Sequence, residues 1–341
     1  MRIAEISTLH RPVPPVGEGS IESLVSTLTE GLVERGHEVT LFASADSETT
    51  ARLWSPVPLE RHRNPAAWDW QVYEAFQVRE AFRMWEEFDL IHCHSYHFGL
   101  LYCDLVPTPS LHSVHIEPGP DYRFLAESTT NRSLHFCSRY QAREFERVEG
   151  IEVIPHGIDP TLYDPKPNER SGEYLAYLGR FHPDKGLPEA IEIAKKSGIP
   201  LKLAGPINDY YSNVLEPMID GSHIQMVGEV DAKEKAKFLQ GAKALLFPIQ
   251  RGEPFGLVLI EAMACGVPVL ATKRGAVSEI VIHGETGWIG ESVEDLLEGI
   301  RRLEEFDPAK IRRHVEKNFS KSQMVDRLEN LMTRIVERNK A

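Results

Sequence analysis

The stretch Glu253-Pro-Phe-Gly-Leu-Val-Leu-Ile-Glu261, continuing Ala-Met-Ala-Cys-Gly-Val-Pro-Val-Leu-Ala to Thr272, reads as a loop, a helix and a strand in succession. Pro254 fixes a turn, and Gly256 lets the backbone approach a ligand closely. From Phe255 to Ala264 only that early glycine interrupts, so a short helix is expected there. Gly266 stands where a helix C-terminus takes a left-handed residue. Val267 to Ala271 then has the look of a short buried parallel strand. The loop ahead of the helix presents free backbone N–H groups, a ready place for an anion. Glu253 stands just before it, and Glu261 sits two turns in. Acidic residues near a helix start are common because they complement its dipole. Here, however, the helix is apolar on nearly every side, through Leu257, Val258, Leu259, Ile260, Ala262 and Met263. Such a helix is buried, and a carboxylate within it is costly unless something pairs with it.

Working outward, the same alternation fills the chain. Arg2 to Ser7 is strand-like, and a loop rich in Pro and Gly follows. Ser20 to Arg35 carries Ile21, Leu24, Val25, Leu28 and Leu32 at helical spacing, Gly36 caps it, and Glu38 to Ala43 is a second strand. Further on come a helix from about Trp70 to Glu87 and strands Leu90 to His92, Ser110 to Val114 and Leu134 to Cys137. The texture changes between Pro155 and Gly172, where Pro and polar residues suit an interdomain connection. A second series follows: strand Tyr174 to Leu178, helix Leu187 to Lys196, strands Leu201 to Ala204 and His223 to Val227, helix Asp231 to Ala242, strand Ala244 to Pro248. Helices from about Val293 to Phe306 and Gln323 to Glu337 close the chain. Alternating strands and helices predict an α/β protein with doubly wound parallel sheets.

Bulk composition narrows the function classes. The 341 residues are comfortable for two domains, and 42% apolar with 26% charged residues describes an ordinary soluble protein. No apolar stretch reaches the roughly 18 residues of a membrane span. Met1 to Ser7 reads as a first strand, with an acid at Glu5, rather than a signal peptide. Cys93, Cys103, Cys137 and Cys265 show no Cys-x-x-Cys spacing, which points to a reduced, cytoplasmic protein. A net charge of −13 argues against nucleic acid and anionic lipid as partners.

The run from Glu253 resembles the Glu-x7-Glu signature of the family 4 retaining glycosyltransferases of the glycogen-synthase-like clan. The match includes Phe255-Gly256-Leu257 and the Ala-x-Ala-x-Gly-x-Pro-Val after Glu261. The resemblance implies a GT-B fold, two Rossmann-like domains facing a central cleft. It divides the chain into an acceptor-side domain over 1–155, a donor-binding domain over 156–322, and a last helix, about 323–341, returning to the first domain. It implies transfer of a hexose from a nucleotide diphosphate sugar, UDP-glucose or UDP-N-acetylglucosamine on family prevalence, to an acceptor hydroxyl.

A departing diphosphate must be neutralised. No Asp-x-Asp pair for a divalent metal occurs in the sequence, so fixed cations are expected, with no metal and no cofactor. Gly179-Arg180-Phe181-His182-Pro183-Asp184-Lys185-Gly186 follows a strand and matches the family's Gly-Arg-x4-Lys-Gly. Arg180 offers a planar fork for phosphate oxygens and Lys185 a mobile point charge. Gly17-Glu18-Gly19-Ser20-Ile21-Glu22 matches the family's glycine-rich loop in part, with Ser20 in place of a second glycine. Gly19 would let the backbone approach the diphosphate. A nicotinamide fingerprint fails there, because Glu22 replaces its last glycine.

By the same resemblance Glu253 and the Phe255–Leu257 backbone hold hydroxyls of the donor sugar, and Glu261 takes the ribose. Gly228 and Val230, around Glu229, hold the base, and His115 lies beside the sugar. Pro155-His156-Gly157-Ile158-Asp159 resembles a junction turn, and Ser278-Glu279 a second family position whose role is structural. His92 and His94 alternate onto one face of a strand end, which raises a metal, but no closed ligand set accompanies them. Trp68, Trp70, Tyr73 and Phe76 form an aromatic cluster entering a helix, for which core packing is expected and an acceptor platform is the alternative. The acceptor is a small molecule or glycan that the motifs do not name, and the oligomeric state is open. A nucleotide-sugar-binding protein without catalysis, and a nicotinamide oxidoreductase, are the alternative classes.

Overall fold

The structure, a computed structural model, describes residues 1–17, 19–64, 69–163 and 172–340; the side chains at 62, 232 and 233 are left out. It divides into two compact units, Met1–Gly157 with Lys321–Ala341, and Ile158–Ser320.

The first unit runs β1 (Arg2–Ile6), α1 (Ser20–Glu34), β2 (Glu38–Phe42), β3 (Arg52–Trp54), α2 (Trp70–Arg83), β4 (Leu90–Cys93), β5 (Ser110–Val114), α3 (Pro120–Ser128), β6 (Arg132–Phe136), α4 (Arg139–Ala142) and β7 (Ile151–Val153). Its seven strands are all parallel, in the order β3-β2-β1-β4-β5-β6-β7. Central strands of such sheets are covered on both faces, and β4 and β5 are buried along their whole length. The second unit runs β8 (Tyr174–Leu178), α5 (Leu187–Ser197), β9 (Leu201–Ala204), β10 (Ile224–Gly228), α6 (Ala232–Gln240), β11 (Ala242–Phe247), α7 (Leu257–Ala264), β12 (Val269–Thr272), α8 (Val277–Ile280), β13 (Gly287–Gly290), α9 (Val293–Arg301) and α10 (Pro308–Asn318). Its six parallel strands take the order β10-β9-β8-β11-β12-β13.

The last helix, α11 (Lys321–Lys340), belongs to the first unit and packs on α1. Gly31 leaves room for Val325, since a Cβ there would meet its methyls at 2.8 and 3.3 Å. Arg35 pairs with Asp326, and His37 Nε2 meets Glu329 at 2.9 Å.

Each sheet reverses its strand order at one place, between β1 and β4 in the first unit and between β8 and β11 in the second. Ligands of open α/β sheets gather at the carboxyl edge beside such a switch point.

Several elements differ from the sequence reading. The helix expected from Phe255 starts at Leu257, because Gly256 adopts φ 89°, which no helical residue can. The following strand starts at Val269, after Pro268, which has no N–H for a ladder. The helix read to Glu87 stops at Arg83 and continues only as a 3-10 turn. Among the aromatics expected in the core, Phe76 is 42% exposed and Trp70 lies under the Arg61 guanidinium at 4.5 Å; Trp68 lies outside the described residues. The reason is the polarity of α2. It turns Glu74, Gln77 and Glu80 inward with Val78 and Phe82, and Val72 and Phe76 outward. Gln77 Nε2 donates to the Ser7 carbonyl at 2.8 Å, and the Leu9 N–H donates to Glu74 at 3.0 Å. These bonds tie the chain after β1 to α2. The segment from Pro155 to Gly172, expected to join the domains, is described only to Tyr163, and from Ile158 onward it belongs to the second unit; residues 164–171 lie outside the described residues.

Candidate active site

In the second unit the two loops at the switch point interlock. The loop after β8 carries Arg180 and Lys185, and the loop after β11 carries Glu253. Gly186, at φ 68°, packs so closely that a Cβ would sit 1.8 Å from the Pro248 carbonyl oxygen. The Gln250 N–H donates to the Asp184 carbonyl at 2.8 Å. This contact brings Lys185 Nζ into an ion pair with Glu253 Oε2, both side chains about three-quarters buried. A third loop braces Glu253: the Ala276 N–H donates to its carbonyl at 2.9 Å, and Gly275 lies flat against its backbone. The Glu253 backbone is therefore held from two sides, while Oε1 has no hydrogen-bond partner among the described residues.

Arg180 is exposed, and its guanidinium makes no ion pair or hydrogen bond to the described residues. Its carbonyl accepts from Tyr177 Oη at 3.1 Å. The loops after β8, β9 and β10 are stitched edge to edge: the Gly179 N–H donates to Ala204, and the Gly205 N–H donates to Gly228 at 2.9 Å. Gly228, at φ 95°, and half-buried Val230 thus lie on the same carboxyl edge as Arg180. Phe255 is buried against Phe319, ring centroids 6.0 Å apart, and anchors the loop ahead of α7.

The carboxylate inside the apolar α7 has the partners its burial demands. Glu261 Oε1 receives Lys235 Nζ at 2.7 Å and Tyr163 Oη at 3.0 Å, leaving Oε2 without one among the described residues. Burial, then the Glu261 charge, pushes the Tyr163 phenol upward. Lys235 lies on α6 and was not anticipated. The available signal was Glu261 itself, whose setting requires a cation somewhere. A cavity of about 870 Å³ in this unit reaches from Tyr174 and Pro268, at the amino-terminal ends of β8 and β12, past Phe238 to Val227, Glu229 and Val230 at the carboxyl end of β10.

In the first unit Gly19 caps α1. A Cβ there would collide with Pro15 at 2.5 Å, so the close loop requires glycine. Glu22, one turn on, is buried and accepts from Thr8 Oγ1; burial pushes its carboxyl upward. Glu18 lies outside the described residues. His115 follows β5 and sits at the end of a buried polar chain centred on Glu5. Glu5 and His92 face each other across β1 and β4, Oε1 to Nδ1 at 3.0 Å. Glu5 Oε2 meets His94 Nε2 at 2.9 Å, and His94 Nδ1 meets His115 Nε2 at 2.8 Å. On the other arm His92 Nε2 contacts Ser113 Oγ at 2.7 Å, and Ser113 contacts His135 Nδ1 at 2.7 Å. His135 Nε2 donates to the Ile154 carbonyl at 2.8 Å.

Burial alone would raise Glu5, but the His92 charge and the hydrogen bonds from both histidines outweigh it and hold the carboxyl at about 2. Burial pushes His94 down to about 4 and His135 to about 3, and it takes His115 well below the usual range. Glu5, His92 and His94 place their ligand atoms within 4.8 Å of one another, close enough to hold a metal ion. Each of those atoms already has a hydrogen-bond partner, and the group has no fourth member among the described residues. Structural zinc takes four ligands.

Comparison with known proteins finds family matches in both units. The model "Glycosyltransferase Family 4" matches residues 21–162, and "Glycosyl transferases group 1" matches residues 162–322. The chain belongs to the family 4 glycosyltransferases. An uncharacterized glycosyltransferase of Methanocaldococcus jannaschii is 31% identical over 242 residues, 64% of this glycosyltransferase and 66% of that protein. The D-inositol 3-phosphate glycosyltransferase of Pseudarthrobacter chlorophenolicus is 24% identical over 90% of this chain and 88% of its own. Anabaena HepE, solved in complex with UDP and glucose, superposes with a TM-score of 0.76 at 16% identity, covering 98% of this chain and 99% of its own. The fold is therefore GT-B, and the protein is an enzyme of the transferase class. Among the described residues no helix is long and apolar enough to cross a membrane.

Proposed function

We propose that this glycosyltransferase moves a hexose, with retention, from a nucleotide diphosphate sugar to an acceptor hydroxyl without a metal ion. The observation that carries the reading is the Lys185–Glu253 pair. Two motifs distant in sequence meet at the switch point, one bringing cations and the other carboxylates. Arg180 and Lys185 stabilise the diphosphate as it leaves, and Gly19 gives backbone access to it. The N–H groups ahead of α7 add partial positive charge. Glu253, through its unspent Oε1, and the Phe255–Leu257 backbone hold sugar hydroxyls. Glu261, through Oε2, takes the ribose, and Gly228 and Val230 hold the base. His115 attends the sugar as it gains oxocarbenium character. Since Glu253 is engaged by Lys185 and is assigned to hydroxyls, this reading leaves no nucleophile for the second face among the described residues. Front-face substitution, with the departing phosphate taking the acceptor's proton, is the mechanism we favour.

A UDP-sugar donor is supported by the HepE complex, and a small polyol or glycan acceptor by the relative named for D-inositol 3-phosphate. The absent Asp-x-Asp supports independence from metal. The test is nucleotide release from a panel of UDP- and GDP-sugars with candidate acceptors, with and without EDTA, followed by the anomeric coupling of the product. Release from no donor, abolition by EDTA, or an inverted product each removes the corresponding part of the proposal.

A further inference from the structure

The buried chain through Glu5 can be ordered proton by proton. The Ile154 carbonyl can only accept, so His135 Nε2 carries a hydrogen. From there to His115 lie six contacts: His135 to Ile154, Ser113 to His135, His92 to Ser113, Glu5 to His92, Glu5 to His94 and His94 to His115. Each needs one proton. Three neutral histidines and a serine on one side and in the middle, together with His115, supply five, and an ionised Glu5 supplies none. The sixth falls between Glu5 and His92, because four contacts run from Glu5 to the Ile154 carbonyl while His92, Ser113 and His135 bring three protons, and there it neutralises the buried carboxylate. An isolated charge there would be very costly.

The other arm then has one solution. Glu5 Oε2 accepts, so His94 carries its hydrogen on Nε2 and presents a bare Nδ1. That nitrogen can only accept, so His115 donates from Nε2. His115 Nδ1 is left without a hydrogen, and it is buried without a partner among the described residues. We propose that Glu5 and His94 are positioning residues that lock His115 in the Nε2–H tautomer, so that its Nδ1 is a dedicated acceptor for a ligand hydroxyl. In this state the nitrogen repels a phosphate oxygen, which offers no proton, and receives an O–H. The specificity it supplies is for a polyol over an anion at that place. The arrangement lies at the switch point of the first unit, β1 giving Glu5 and the end of β4 giving His94. The assignment to a sugar hydroxyl rests on the function proposed above, but the tautomer does not.

The experiment is histidine-labelled 15N NMR on the full chain at neutral pH without substrate. The expected spectrum shows His115 with a protonated Nε2 and an unprotonated Nδ1. His94→Gln can donate from its amide to Glu5 and accept from His115, so the His115 signals should keep this pattern. His94→Leu offers no acceptor, and the pattern should collapse to averaged tautomers. The proposal is overturned by a protonated Nδ1 in the wild type, or by a His94→Leu protein that is folded and leaves His115 unchanged. It is equally overturned by a stoichiometric metal ion in the purified protein that His94→Gln removes. Should His94→Leu not fold, the wild-type and His94→Gln spectra decide alone. Failure to release nucleotide from any sugar would count against the transferase reading and leave these spectra untouched.

Discussion

Gly275 has no side chain to offer a ligand, yet changing it to alanine should disable the site. At φ 59° an alanine pays the left-handed strain of about 1–2 kcal/mol. Its Cβ would also lie 2.3 Å from both the backbone nitrogen and the carbonyl oxygen of Glu253, where ordinary contact begins at 3.4 Å. The Glu253 backbone must therefore retreat by about 1 Å, and a displacement of that size at a reacting centre costs on the order of 100-fold in rate. Gly284 supplies the control. It has φ 80° and nothing within 4 Å of the added Cβ, so Gly284→Ala carries comparable strain without the collision. Each variant should lose a few degrees of melting temperature, at roughly 2–4 °C per kcal/mol for a unit of this size. Only Gly275→Ala should lose donor turnover, measured as nucleotide release at saturating sugar nucleotide. Equal turnover in the two folded variants would refute the idea that this loop sets the position of Glu253.

Other consequences are open to measurement. Lys185→Ala and Glu253→Ala should each lower transfer about 100- to 1,000-fold, as expected for removing one charge-stabilising group, with melting temperatures within a few degrees of wild type; near-wild-type turnover in either would withdraw that residue's role. Lys235→Met leaves Glu261, 9% exposed, with only Tyr163; because Lys235 is itself 28% exposed, the cost should be about 1–3 kcal/mol by urea unfolding, with most of it regained in Lys235→Met/Glu261→Gln. An unchanged urea midpoint in Lys235→Met would mean the pair contributes nothing. Burial raises Glu74 from 4.5 to about 7, so between those values the native state holds a proton the unfolded chain has released. Stability should fall as pH climbs through that window, by up to about 3 kcal/mol. Glu74→Gln, which keeps an acceptor for the Leu9 N–H, should flatten the decline, and parallel stability curves from pH 4 to 8 would contradict the assignment.

What the sequence disclosed and withheld follows from where each interaction partner lies along the chain. Parallel α/β alternation was legible because periodicity is local: Leu24, Val25, Leu28 and Leu32 on α1 are buried as their spacing predicts. The strands Arg52–Trp54, Ile151–Val153 and Gly287–Gly290 were not, since each is three or four residues long at a sheet edge and bears no long apolar run. The site divides in the same way. Arg180, Lys185, Glu253 and Glu261 stand in contiguous motifs, whereas Lys235 and Tyr163 reach the Glu261 carboxylate, and Gly275 the Glu253 backbone, only through the fold. Glu5 is the instructive case. An acid near the N-terminus counts against a signal peptide. The more informative fact was its setting, a charge inside Ile3-Ala4-Glu5-Ile6, in a strand with no polar face to hide on. Like Glu261, Glu5 is a carboxylate in an apolar element and must find protons or cations. For Glu5 they come from the histidines that the same sequence concentrates in the next strand of the sheet, so its burial and that concentration are one feature.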